Sequence, residues 1–294
     1  MDELANDLWR VASDPDLLAQ GGALAGGLVL VAIAARLREL PPTYRASVAQ
    51  DGAYVASRAL VTLPLTLAIL DGLRRLVAAF APGIQLGWLP GLPGWAQVLV
   101  YFVLMDAVAY GVHRAFHAVP WLWPFHAIHH SQRNLNALTT TRIHVVELVV
   151  KRVVSFAPLA VLGEPTETLA LLVCIDGFWG FFVHSGLRVP LGPLRYVLVE
   201  PDYHRLHHAQ ERELADTNYA ERLVIWDLLL GSARFETPRA LATGIDDATF
   251  PHERDASLTG AVSTWVAQLL YPFRKLASGS AAAGRPRADE ARAK

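Results

Sequence analysis

Cysteine is almost missing from this chain: Cys174 is the one such residue among 294. A single thiol cannot build a disulfide framework, a zinc–thiolate cluster or an iron–sulfur motif. Charge is scarce too, at 18% of residues, and the formal net charge is -1. Such a balance gives no broad basic field to gather nucleic acid. The first residues, Met-Asp-Glu-Leu-Ala-Asn-Asp, lack the basic start of a secretory signal peptide. The first apolar run is therefore expected to be a retained membrane anchor. What the chain has in place of charge is apolar bulk: 53% of residues are hydrophobic and the mean hydropathy is +0.29. These values lie at the apolar edge of globular usage and point to membrane spans.

Residues 21–35 are nearly all apolar and are followed by Arg36, Arg38 and Arg45. With Leu17 and Leu18 they approach the ~20 residues needed to cross a bilayer. Residues 53–70 form a second candidate span, interrupted by Arg58, and residues 96–112 a third that ends at His113. Between them, residues 83–94 are dense in Gly and Pro, which is loop chemistry. Asp106 lies inside the third span, where a carboxylate is costly and points to a functional or paired role. Residues 145–162 and 169–183 read as a helical hairpin, with Glu147, Lys151 and Arg152 leaving open whether its first arm is re-entrant or fully spanning. A hairpin places His144 and His184 on one face of the membrane. The arginines after the first span put that loop in the cytoplasm, which brings His113 out on the cytoplasmic side and leaves Arg74 and Arg75 in an outer loop.

Histidine is concentrated. Eight of eleven fall in three clusters: His113 and His117; His126, His129 and His130; His204, His207 and His208. Neutral imidazole ligates zinc, copper, iron and nickel, and residues at i, i+3 and i+4 of a helix lie on one face. Lone HxxxH pairs are common surface or core features, but three clusters holding most of the histidine mark a metal site. His184 and His144 raise the donor count to ten, more than the four to six nitrogens one ion takes. Two ions are expected, which in binuclear sites stand about 3.5–4 Å apart. The HRAFH cluster lacks the Glu of a zinc protease, and no Glu-x-x-His pairs are present for a carboxylate-bridged bundle.

The pattern resembles the fatty acid hydroxylase / sterol desaturase superfamily of membrane histidine-box di-iron oxygenases. Asp106-x-x-x-Tyr110-x-x-His113-Arg114 is similar to that family's first box, and Leu122-Trp123-Pro-Phe-His126 with His129-His130-Ser131 to its second. Arg142-Ile-His144-Val-Val-Glu147 resembles R-x-H-P-x-E, with Val145 in place of proline. His184-Ser185 resembles its H-S element, and Pro201-Asp-Tyr-His204-Arg-Leu-His207-His208 its third box. Asn218-Tyr219 and Trp226-Asp227 with Gly231 follow as in the family, with Ala220 departing from a glycine. The resemblance covers roughly residues 100–240. It implies O2-dependent oxidation of a lipid C–H bond at two irons held by the histidines, ending in a hydroxyl or a double bond. It also implies Asp106, Glu147, Asp202 and Asp227 as partners of the ligands, although Asp227 reads equally well as a helix cap or ion-pair partner. Trp226 and Tyr219 read as well as packing residues.

The chain carries no haem, flavin or cysteine motif, so electrons would come from a separate ferredoxin or reductase. Arg205, Arg212, Arg222 and Arg234 offer an acidic donor a docking face, though an ordinary solvated face is the simpler reading. The expected architecture is an all-α membrane protein with four to five transmembrane or re-entrant helices and a cytoplasmic helical cap. Anchor helices and a loop occupy 1–95, the oxidising domain 96–240, an interfacial cap helix 241–276 and a disordered tail 277–294. Two other functions compete: a membrane metal-binding or transport protein, and a zinc-dependent lipid hydrolase or isomerase. Fatty acyl, sterol and related lipids remain equal as substrates, as do hydroxylation and desaturation.

Overall fold

The structure, a computed structural model, describes residues 42–80, 91–162, 166–236 and 241–279. The expected anchor over 21–35 and the tail beyond 279 lie outside them. Within the described residues the chain is helical and has no strand, with two isolated bridges at Leu198–Leu223 and Ala209–Thr243.

Helix α1 (Pro42–Ser57), a π-helical turn (Arg58–Thr62) and α2 (Leu63–Phe80) run on as one rod. From Tyr44 to Phe80 it is 37 residues long and apolar enough to cross a membrane. At about 1.5 Å per residue it measures ~55 Å, well beyond a ~30 Å hydrocarbon core. Its halves differ. α1 buries Ser47, Gln50, Asp51 and Tyr54, whereas the second half exposes Leu60, Val61, Leu67, Leu76 and Phe80. The lipid-compatible surface thus begins near residue 59 instead of 53, and continues past residue 70. Arg74 and Arg75, expected in an outer loop, sit within α2. Asp71 accepts from Arg75 Nε one turn later at 2.7 Å, and no proline or glycine follows Gly72 until Pro82.

Helix α3 (Gly94–Ala118) is the second helix of membrane-crossing length, and it carries His113 and His117 in its last turns. The short α4 (Trp123–His130) and a 3-10 turn (Ala137–Thr141) lead into the hairpin of α5 (Val145–Leu162) and α6 (Thr166–Val183). α5 packs on α2 and α3, and α6 packs on α3 and the 3-10 turn. That last contact is close: a Cβ on Gly180 would stand 2.5 Å from Thr140 Oγ1.

A second 3-10 turn (Gly192–Tyr196), α7 (Pro201–His207), α8 (Arg212–Ala215) and α9 (Ile225–Leu230) follow as short elements, of which α9 exposes Ile225, Leu228, Leu229 and Leu230. Finally α10 (Leu258–Ala277), capped by Ser257, packs on α1 and α4. It exposes Leu258, Val262, Val266, Leu270 and Phe273 along one stripe, the amphipathic pattern read from the sequence.

Two buried ionic clips hold these layers. Arg142, fully buried, donates to Asp51 at 2.5 Å, to the Ser47 carbonyl at 3.0 Å and to Glu253, tying α1 to the loop before α10. Asp106 accepts from Arg222 at 2.9 Å, from the Leu223 backbone at 3.1 Å and from the Trp226 indole at 2.8 Å. One turn along α3, the Tyr110 and Ser232 hydroxyls are hydrogen-bonded at 2.9 Å. Asp106 and Tyr110 therefore fasten the 222–232 segment against the helix that bears His113.

Candidate dimetal centre

Nine buried histidines meet where α3, α4, α6 and α7 converge. They sort into two groups, His113, His117, His126, His130 and His207, then His129, His184, His204 and His208. The sort cuts across the sequence clusters. On α4, His126 and His130 turn to the first group and His129 to the second; on α7, His207 turns to the first while His204 and His208 turn to the second. The groups touch, with His130 stacked on His208 at 4.4 Å between ring centres.

Within each group the Nε2 atoms converge. His113 stands 3.0 Å from both His126 and His207, and His117 is 3.1 Å from His130. In the second group His184 lies 3.2 Å from His129 and 2.9 Å from His204, which lies 3.2 Å from His208.

The other ring nitrogens fix the tautomers. Nδ1–H of His113 donates to the Tyr219 carbonyl at 2.7 Å, and that of His207 to the Thr217 carbonyl at 2.7 Å. His126 donates to Glu147 at 2.8 Å, His117 to Asp216 at 3.3 Å and His184 to the Gly180 carbonyl at 2.7 Å. A neutral ring that gives away its Nδ1–H keeps a lone pair on Nε2. Lone pairs facing one another at 3 Å repel unless a cation stands among them. Two nitrogens each about 2.1 Å from one ion, at right angles, are ~3.0 Å apart. The donor set fits a metal ion in each group. Burial, reinforced by neighbouring imidazoles, holds His129, His130, His204 and His208 well below the usual histidine range, so these rings are in the neutral form that metals bind.

One short segment supplies three of the Nδ1 acceptors: Asp216, Thr217 and Tyr219. Asn218 between them adopts a left-handed backbone (φ 54°). Its side chain donates to the carbonyls of Tyr203 at 3.0 Å and Arg234 at 2.8 Å, and accepts from the Arg234 backbone at 2.6 Å. This turn aims the carbonyls on either side of it at the histidines.

The acidic residues singled out in the sequence have different fates. Glu147 touches His126 directly and also Lys151 at 3.2 Å. Asp227 reaches the site at one remove: it accepts from the Tyr219 and Ala220 backbone at 3.0 and 2.8 Å, bracing the segment whose carbonyl holds His113. Asp106 serves the clip described above. Asp202 pairs with Arg205 at 2.6 Å. His144 is not brought to either group. Its Nδ1 accepts from the Val146 backbone at 3.0 Å and its Nε2 donates to the Leu269 carbonyl at 3.1 Å, so both nitrogens serve the backbone of α5 and α10. Asp216 was not anticipated, since nothing in a lone Asp-Thr-Asn run signals contact with a histidine 99 residues away. Of the proposed docking arginines, Arg222 is buried in the Asp106 clip and Arg212 pairs with Asp216 at 3.2 Å.

A cavity of about 110 Å³ opens against His113, His129, His184 and His204. A helical, partly membrane-compatible protein with clustered histidines beside a cavity is the class defined by fold and site. Residues 98–232 match the family described as fatty acid hydroxylase. The ornithine lipid hydroxylase OlsE of Rhizobium tropici is 33% identical over 189 residues, 64% of this chain and 54% of that protein. Human alkylglycerol monooxygenase is 32% identical over 140 residues, 48% of this chain and 31% of that protein. The fatty acid hydroxylase vlmA of a Lecanicillium species is 31% identical over 198 residues, 60% of this chain and 54% of that protein. The chain thus spans about half or less of the length of these relatives. No solved structure matches it. Over residues 98–232 the chain is thus similar to the fatty acid hydroxylase family, and the relatives named above are a lipid hydroxylase, an alkylglycerol monooxygenase and a fatty acid hydroxylase.

Proposed function

We propose that this protein is an O2-dependent di-iron hydroxylase or desaturase of a membrane lipid. The observation that carries the reading is the convergence of nine buried imidazoles in two groups, whose ligand atoms lie within 4.8 Å of one another and whose neighbouring Nε2 atoms stand 2.9–3.2 Å apart. His113, His117, His126, His130 and His207 would hold one iron, and His129, His184, His204 and His208 the other. Bound iron supplies activation of O2 and oxidation of a C–H bond.

The chain's own residues do the rest. The Nδ1 acceptors orient the rings and raise their basicity, with Glu147 adding negative charge beside His126. Packing of α5 and α6 on α3 shields the centre, and the cavity admits a C–H bond to His113 and to the second group. The electrons come from a separate ferredoxin or reductase. The protein is multi-pass, and its metal site faces the cytoplasm, as the arginines after the first apolar run argue.

The test is lipid mass spectrometry of a strain lacking the gene against one complemented with it, alongside metal analysis of the purified protein. Wild-type complementation yields lipids shifted by +16 or -2 mass units and about two metal ions per chain. His129→Ala and His207→Ala abolish the shift. Retention of the product by both variants overturns the reading. Metal flux in vesicles without lipid oxidation would indicate a transporter, and anaerobic activity without reductant a hydrolase or isomerase.

A further inference from the structure

The cavity of about 110 Å³ beside the histidines is also lined by charge: Arg58, Lys151, Arg152 and Arg222 together with Asp176 and Glu221. A tunnel for a hydrocarbon tail would not be walled by six ionisable side chains.

Four cations meet two carboxylates, and those carboxylates are already engaged. Glu221 stands 3.4 Å from Lys151 and 3.6 Å from Arg222, while Asp176 takes Arg222. Outside the cavity wall, Asp106 and Glu147 take further edges of Arg222 and Lys151. Arg58 differs from these. Its guanidinium makes no hydrogen bond or ion pair among the described residues, although Arg152 and Asp176 lie within its electrostatic reach. An arginine left so within an apolar rod is costly and marks a ligand site. Its planar fork of donors suits a carboxylate or phosphate. It also opens the π-helical turn Arg58–Thr62, a widened turn of the kind that re-aims side chains at functional sites. Gly177 lines the same cavity and has no atom within 4 Å of where its Cβ would be.

We infer that this cavity is a head-group subsite, in which Arg58 holds the anionic group of a polar lipid and so presents a C–H bond near that head to the histidine centre. The inference rests on the lipid-oxidising reading above and names its substrate class: a lipid with a phosphate or carboxylate close to the carbon that reacts.

The test is calorimetric binding to the metal-loaded, full-length protein in neutral detergent, without reductant. Three probes are used: dioctanoyl phosphatidic acid, N-octanoylglycine and uncharged dioctanoylglycerol. One or both anionic probes bind the wild type at least ten-fold tighter than dioctanoylglycerol, and whichever binds tighter identifies phosphate or carboxylate as the natural group. Arg58→Gln weakens anion binding about ten-fold or more and leaves dioctanoylglycerol and metal content unchanged, while Arg58→Lys restores part of the preference. Gly177→Leu, which fills the cavity, weakens all three probes. Equal binding of the three probes by the wild type, or an anion preference that survives Arg58→Gln, overturns the inference. If Arg58→Gln does not fold, undiminished binding to Gly177→Leu overturns it equally. Anion preference in a His204→Ala protein that has lost metal keeps the subsite and counts against the dimetal reading alone.

Discussion

The two histidine groups are built to different standards. In the first, four of five rings are braced through Nδ1, by Glu147, Asp216 and the carbonyls of Thr217 and Tyr219. In the second, His184 alone has such a brace, and the Nδ1 atoms of His129, His204 and His208 have no hydrogen-bond partner among the described residues. Braced imidazoles are held in orientation and made more basic. The second group is also the one that supplies three of the four histidines on the cavity wall. On the proposed reading, the difference would separate an anchoring position from a reacting one, with the braced rings away from substrate and the less braced rings beside the cavity.

The sharpest way to break that division is to remove one ring from each group. His204→Ala leaves three donors in the second group and is expected to reduce bound metal from about two ions to about one, with activity lost. His207→Ala leaves four in the first group and retains both ions at lower affinity. Metal analysis at fixed free metal distinguishes them, and equal loss in both variants would erase the contrast.

Asn218→Ala comes next, since it removes the left-handed turn and its three side-chain hydrogen bonds. Roughly 2–4 kcal/mol of stability is expected to go, read by thermal unfolding, with metal loss confined to the first group. Asn218→Gly, which tolerates the same backbone, costs less. Glu147→Gln keeps an acceptor for His126 but removes its charge. About ten-fold weaker metal binding is expected, at the lower end of such effects, again in the first group only.

The smallest effect tests both groups together. Burial favours the neutral acid, but hydrogen bonds from Lys275, Thr249 and Tyr271 outweigh it and pull the Asp247 carboxyl down to about 2. A depressed carboxylate stabilises the fold above its ordinary value of 3.8 and loses that contribution as pH falls toward 2. Its contact with Lys275 holds α10, which packs on α4, the helix that feeds both groups. Hydrogen exchange in α10 is expected to quicken over that range, and Asp247→Asn to show the quickened rate already at neutral pH.

Much of this site was legible in the sequence because imidazoles spaced at i, i+3 and i+4 declare themselves. All eight box histidines and His184 converge as the spacing and resemblance implied. How they divide was not legible: i+3 and i+4 positions lie on one broad face, and two facing helices decide which ring turns which way. Most of the braces were hidden for a different reason. Thr217, Tyr219 and Gly180 act through backbone carbonyls, which any residue carries, so no residue type reveals them. Asp106, read as a functional or paired residue, is paired with Arg222, whereas His144 stands apart from both groups, because a buried polar group in an apolar chain looks alike whether it binds metal or serves the backbone. Two apolar helices long enough to cross a membrane were legible as helices but not in extent, since the α1–α2 rod passes through its charged residues without a break.

The crossed sorting of α4 and α7 has a last consequence. Each of these short helices gives rings to both groups, so an ion seated in one group orders both helices for the other. If each group takes an ion as proposed, filling one is expected to favour the other in the wild type, so the centre would pass from empty to paired ions over a narrower range of metal concentration than two independent sites.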